Sequence, residues 1–125
     1  MALGARQTTR ALHQLRDQLM SMALRRWRDD GWAIQPHLMH KPSDPVLAWI
    51  DEDEHLIHVY PHEAGEGQPV EKTLLHELFH VLFQTMRERA RDEKDCLTLE
   101  TLLWPILTRS QRRALTTMLA NGRPT

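Results

Sequence analysis

The segment from Glu71 to Met86 constrains this chain more than any other part of it. It contains no Gly or Pro, and its apolar residues recur at the spacing of a helix. At about 100° per residue, Thr73, His76, Glu77, His80, Gln84 and Arg87 fall on one narrow stripe. Every other residue from Leu74 to Met86 is apolar except Thr85. A surface helix shows the reverse proportions, a narrow apolar stripe on a polar cylinder. This helix must therefore be enclosed on nearly all sides, with its polar strip facing a cleft, and the remaining residues have to wrap it. With 125 residues there is enough chain for one such core and little room for a second module, so residues 1–125 are expected to form a single domain.

The wrapping elements follow from periodicity and punctuation. From Thr8 to Asp30, Leu12, Leu15, Leu19, Met20, Met22, Ala23 and Trp27 recur at helical spacing, and Gly31 stands where a helix would stop. Trp32 to Met39, Val46 to Ile50 and His55 to Tyr60 are short, rich in aromatic and β-branched residues, and predict three strands. Asp51 to Glu54 is then the turn of a hairpin joining the last two. Pro61 to Pro69 has the composition of an exposed loop. After the charged stretch Arg87 to Asp95, Cys96 to Trp104 predicts a helix that must end or bend before Pro105. Thr108 opens a last helix with Gln111 three positions on, a capping-box pattern, and Gly122 lies past its end. The expected fold class is α+β, with a small three-stranded sheet packed on the N-terminal helix and the central helix, followed by C-terminal helices.

Composition removes several function classes. Hydrophobic residues make up 41% and the formal net charge is -1, the balance of an ordinary globular domain. Basic residues cluster at Arg25, Arg26 and Arg28, at Arg87, Arg89 and Arg91, and at Arg109, Arg112 and Arg113, but acids are interspersed. Solvated helix faces account for them, and no nucleic-acid partner is expected. Cys96 is alone, so no internal disulfide forms. Met1 to Thr9 lacks the apolar core of a signal peptide and no stretch is apolar enough to span a bilayer. The expected location is cytoplasmic, with no membrane partner.

The polar strip of the central helix carries the chemistry. His76-Glu77-Leu78-Phe79-His80 is an HExxH motif. Residues i and i+4 lie one turn apart on one helix face, so two imidazoles can grip one ion while Glu77 reaches a water beside it. Catalytic zinc takes three protein ligands, so a third is needed. Glu100 is the first candidate, because on the run Cys96 to Trp104 it shares a face with Cys96, Leu97, Leu103 and Trp104, and a carboxylate on an apolar surface needs a cation. For Glu100 to face His80 the chain must reverse near residue 90, within Arg87 to Glu93, although that segment favours helix continuation. Asp92, Glu93 and Asp95 are rival ligands that lie among charges and look solvated. Cys96 is a further rival, whose thiolate would favour a closed structural site.

These residues resemble the gluzincin metallopeptidases, in which an HExxH helix is followed by a second helix bearing a Glu ligand. Nineteen residues separate His80 from Glu100, similar to the thermolysin-like branch, and the order of elements resembles the compact ImmA/IrrE-like and minimal gluzincin families. The specific signal is confined to about residues 73 to 104. One departure stands out: many gluzincins carry an Asp four residues after the ligand Glu, to orient a zinc His, and here that position is Trp104. A third His, as in SprT-like proteases, does not occur after His80.

The expected function is hydrolysis of peptide bonds by a zinc-dependent metalloendopeptidase using a metal-activated water, with His76, His80 and Glu100 as ligands and Glu77 as general base. The partner is a peptide or protein substrate, and the resemblance implies that it pairs with a sheet edge within His55 to Tyr60. Tyr60, His58 and His62 are candidates to stabilise the oxyanion. The last helix, Arg109 to Ala120, is long enough to cover the cleft. The alternative is a catalytically inactive zinc-binding regulatory or structural protein, of the kind a phage or mobile element encodes.

Overall fold

The structure, a computed structural model, describes residues 5–39, 47–61, 69–83 and 89–121. Four helices, α1 (Ala5–Asp29), α2 (Val70–Phe83), α3 (Arg89–Leu103) and α4 (Arg109–Asn121), accompany three short strands, β1 (Ala33–Pro36), β2 (Ala48–Asp51) and β3 (Leu56–Val59). The fold class is α+β. Helix α2 is the centre of the core: Leu74, Leu75, Leu78, Phe79 and Val81 are fully buried, and α1, α3, α4 and β2 all pack against it. The enclosure inferred from its sequence is what the structure has.

Helix α1 stops where Gly31 takes a left-handed conformation with φ of 70°, which glycine adopts without a steric penalty. The Gly31 N–H then donates to the Arg28 carbonyl at 3.2 Å and the Trp32 N–H to the Trp27 carbonyl at 3.0 Å. This pair of bonds closes the helix and turns the chain into β1. The rings of Trp27 and Trp32 stack across the same turn, so the apolar contact that accompanies this cap is present. Lower down α1, the buried Arg16 donates to the Ile106 carbonyl at 2.8 Å and ties the helix to the turn before α4.

The sheet order is β1-β3-β2, with β1 parallel and β2 antiparallel to β3. Each strand is shorter than its apolar run, and the residues from 40 to 46 lie outside the described part. The β2–β3 hairpin forms as expected; the Asp51 carboxylate accepts from the Glu54 N–H at 3.1 Å within its turn. One expectation is overturned. The segment His55 to Tyr60 was expected to offer the open edge, but β3 is the central strand, bonded on both sides, and among the described residues the edges are β1 and β2. A hairpin fixes which strands are neighbours and leaves open which of them the first strand joins; here the parallel β1 takes the far side of β3.

The buried face of the sheet is Ile34, Ile57 and Val59, with Ala48 and Ile50 packed against them. On the other face Trp49 stacks on His58 with centroids 4.0 Å apart and donates to the Tyr60 hydroxyl at 3.1 Å.

Helix α3 also differs from expectation. It begins at Arg89, well before Cys96, so the reversal after α2 comes earlier and residues 84–88 lie outside the described part. The reason is propensity: Arg, Ala, Glu and Lys in Arg89 to Lys94 are good helix formers and nothing there breaks a helix. The helix tightens into a 3-10 turn over Trp104–Ile106, where Pro105 stops it. Thr108 and Gln111 then form the reciprocal capping box of α4, at 2.9 and 3.1 Å. Among the described residues no helix is long and apolar enough to cross a membrane.

Candidate metal centre

His76 and His80 project from one side of α2, one turn apart, and their Nε2 atoms stand 3.2 Å from each other. Ligands of a tetrahedral ion held at about 2.0 to 2.1 Å stand roughly 3.3 Å apart, so the convergence fits a single ion between them. The third member of the cluster is Glu93 of α3, with Oε1 2.8 Å from His76 Nε2 and Oε2 2.7 Å from His80 Nε2. The ligand atoms of these three residues all lie within 4.8 Å of one another, a group able to hold a metal ion.

Two ring nitrogens and a carboxylate oxygen form a borderline donor set, suited to zinc and its first-row neighbours rather than to calcium or magnesium. Without the ion, the two Nε2–H groups donate to the two oxygens of Glu93. A metal would take the place of those two protons.

Glu100 does not join this group. It is buried at 4% exposure, but its Oε2 lies 3.9 Å from Nδ1 of His76, the ring nitrogen opposite the one that faces Glu93. The sequence reading chose Glu100 for its apolar surroundings and set Glu93 aside as solvated. The structure agrees on both environments, since Glu93 is 61% exposed at its side chain, and still brings Glu93 to the imidazoles. Exposure along a helix is set by what packs there; α3 packs against α2, and the exposed Glu93 carboxylate still reaches both rings. The signal available in the sequence was spacing: Glu93 and Glu100 are seven residues apart, two turns on one face of a continuous helix.

Of the other candidates, Cys96 is fully buried in the core and is not part of the cluster. His58 and Tyr60 sit with Trp49 and His37 on the outer face of the sheet and do not line the cleft. His62 and the side chain of Asp92 lie outside the described residues.

The cleft beside the cluster is lined by Leu47, Ala48, Thr73, His76, Glu77, Leu97 and Glu100 and has a volume of about 330 Å³. Helix α4, expected as a cover, contributes no described residue to this lining; it packs on α2 and β1. Glu77 faces the cleft yet is only 8% exposed. Burial raises its carboxyl above the ordinary value of 4.5, against the opposing pull of His80 and His76. Burial raises Glu100 in the same way, with His76 and Lys72 opposing. Partial burial acts upward on Glu93 too, but the imidazoles of His76 and His80, by charge and by hydrogen bond, outweigh it and hold that carboxyl below its ordinary range.

Comparison with known proteins finds no match: no family model, no curated protein and no solved structure matches the chain.

The carboxyl shifts predict how the metal-free protein responds to pH. A raised carboxyl binds its proton more tightly folded than unfolded, so Glu77 and Glu100 make stability fall as pH rises from about 4.5 toward their folded values. Glu93 acts oppositely: its contribution is present above the unfolded value and is lost as pH falls through its depressed folded value. Denaturant unfolding across pH 3 to 8 with a chelator present should therefore show a maximum on the acid side of neutrality. A curve still rising at pH 7 would contradict the burial of Glu77 and Glu100.

Proposed function

We propose that this chain is a zinc-dependent metallopeptidase of gluzincin-like type, with His76 and His80 of α2 and a carboxylate of α3 holding the ion and Glu77 as general base. One observation carries the reading: two converging imidazole nitrogens 3.2 Å apart sit next to a buried carboxylate of the same helix, at the wall of an open cleft. A purely structural zinc site closes its coordination with protein groups and has no use for a buried base beside it. The spacing of the HExxH motif places that base one residue from the first ligand, which is where hydrolysis needs it.

Zinc, when bound, supplies Lewis acidity that polarises the scissile carbonyl and lowers the pKa of a water. The chain's own residues do the rest. Glu77 accepts a proton from the attacking water and returns it to the leaving amine, and burial, which raises its carboxyl above the ordinary value, favours its holding the proton between the two steps. The edge of β2 borders the cleft at Leu47 and Ala48. Because the Tyr60 N–H donates to the Leu47 carbonyl at 2.9 Å, antiparallel alternation turns the backbone groups of Ala48 and Ile50 outward, where an extended peptide could pair with them. Leu97, 53% exposed, and Leu47 give the cleft apolar walls that suit an uncharged substrate side chain.

The test is metal content followed by cleavage of a peptide library. The protein as purified should hold one equivalent of zinc, cleave peptides, lose both with a strong chelator and regain both with zinc. A zinc-loaded protein that cleaves nothing would leave a metal-binding regulator or structural protein, and a protein that takes up no metal would end both readings.

A further inference from the structure

With Glu93 placed against the Nε2 atoms, Glu100 is a buried carboxylate whose role the proposed chemistry does not use. It lies two turns beyond Glu93 on α3, and its Oε2 is 3.9 Å from His76 Nδ1. The ring of His76 thus stands between two carboxylates of one helix, Glu93 at Nε2 and Glu100 on the side of Nδ1.

An imidazole that offers the Nε2 lone pair to a metal must carry its proton on Nδ1. That N–H needs an acceptor, because the His76 side chain is only 12% exposed and an unpaired buried donor is costly. Glu100 is the acceptor that the described residues bring to that side of the ring. A separation of 3.9 Å exceeds a hydrogen bond by about 1 Å, so the contact requires one side chain to shift toward the other when the ion is bound. The opposite assignment, Glu100 as ligand, requires its carboxylate to pass around the imidazole to the Nε2 side, where both Glu93 oxygens already stand within 2.8 Å of the ring nitrogens.

We propose that Glu100 is the positioning residue of the metal centre: it accepts the Nδ1–H of His76 and fixes that ring with Nε2 toward the ion, while Glu93 supplies the third ligand. This rests on the metal-binding part of the reading above.

Zinc affinity by competition with a chromophoric chelator, together with the imidazole proton resonances of the zinc-loaded protein, tests it. The wild type, Glu93→Gln, Glu100→Gln and Glu100→Leu are compared, and the Leu variant keeps the buried volume so that the fold survives if the Gln variant proves unstable. Both Glu100 variants should retain one equivalent of zinc with affinity lowered by about 10- to 100-fold. Glu93→Gln should lose stoichiometric zinc at the same metal concentration. The wild type should show a downfield, slowly exchanging His76 Nδ1–H resonance that disappears in Glu100→Leu. A role in packing alone would move stability without moving that resonance. The proposal is overturned if Glu100→Gln loses stoichiometric zinc while Glu93→Gln keeps it, or if both Glu100 variants match the wild type in affinity and resonance. A wild type that binds no zinc overturns the metal reading itself, before any variant is compared.

Discussion

Replacing Glu77 with Gln should lower the turnover of peptide cleavage by about 10²- to 10⁴-fold while zinc stays bound at one equivalent. The substitution is nearly isosteric and removes one thing, the ability to take a proton from the attacking water. Glu77 is outside the ligand cluster, so the ion has no reason to leave. It is also buried, so a neutral amide removes a desolvation penalty from the folded state and should not unfold it. Measuring turnover, metal content and unfolding midpoint on the same preparation separates the possible outcomes. Turnover within a few-fold of wild type would sink the assignment of Glu77 as base. Loss of zinc along with activity would move Glu77 into the ligand set, in conflict with the geometry of Glu93.

The parts of this molecule that could be foreseen from sequence are those fixed by local chemistry. The polar strip of α2 was visible because a helix enclosed on nearly all sides gathers its few polar residues on one side, and Thr73, His76, Glu77 and His80 do so. The stop of α1 at Gly31 and the capping box at Thr108 and Gln111 are likewise written within a few residues of where they act. What could not be foreseen depends on how distant pieces meet. The place of β3 between β1 and β2 is a choice of partner, and an alternating strand of four residues carries no record of which neighbour lies on which side. The approach of Glu93 depends on where α3 begins. With that helix starting at Cys96, Glu93 falls in a charged turn and looks solvated, which favours Glu100. Starting it at Arg89 puts both on one helix, and the structure brings Glu93 to the two imidazoles.

The buried side of α2 bears on the site as directly as its polar strip. Phe79 is fully buried and lies between the two ligand histidines in sequence while pointing away from them into the core. Truncation to Ala removes most of a large aromatic side chain from the helix that every other layer packs on, and should destabilise the metal-free protein by about 3–5 kcal/mol. That is a large share of the roughly 5–15 kcal/mol typical of a domain this size, so the variant's metal-free unfolding midpoint should fall well below that of the wild type. Under the proposed reading zinc would bind the folded arrangement of His76, His80 and Glu93, and at a hundred times its dissociation constant it should return about 2.7 kcal/mol by mass action. Denaturant melts of wild type and Phe79→Ala, each with chelator and with excess zinc, read both quantities. The zinc increment should be similar in the two proteins, because the truncation is on the far side of the helix from the ligands. A metal-free difference below about 1 kcal/mol would mean that α2 is not the packed centre of the fold. An absent zinc increment in both would mean that the converging imidazoles do not bind the ion, whatever cleavage assays report.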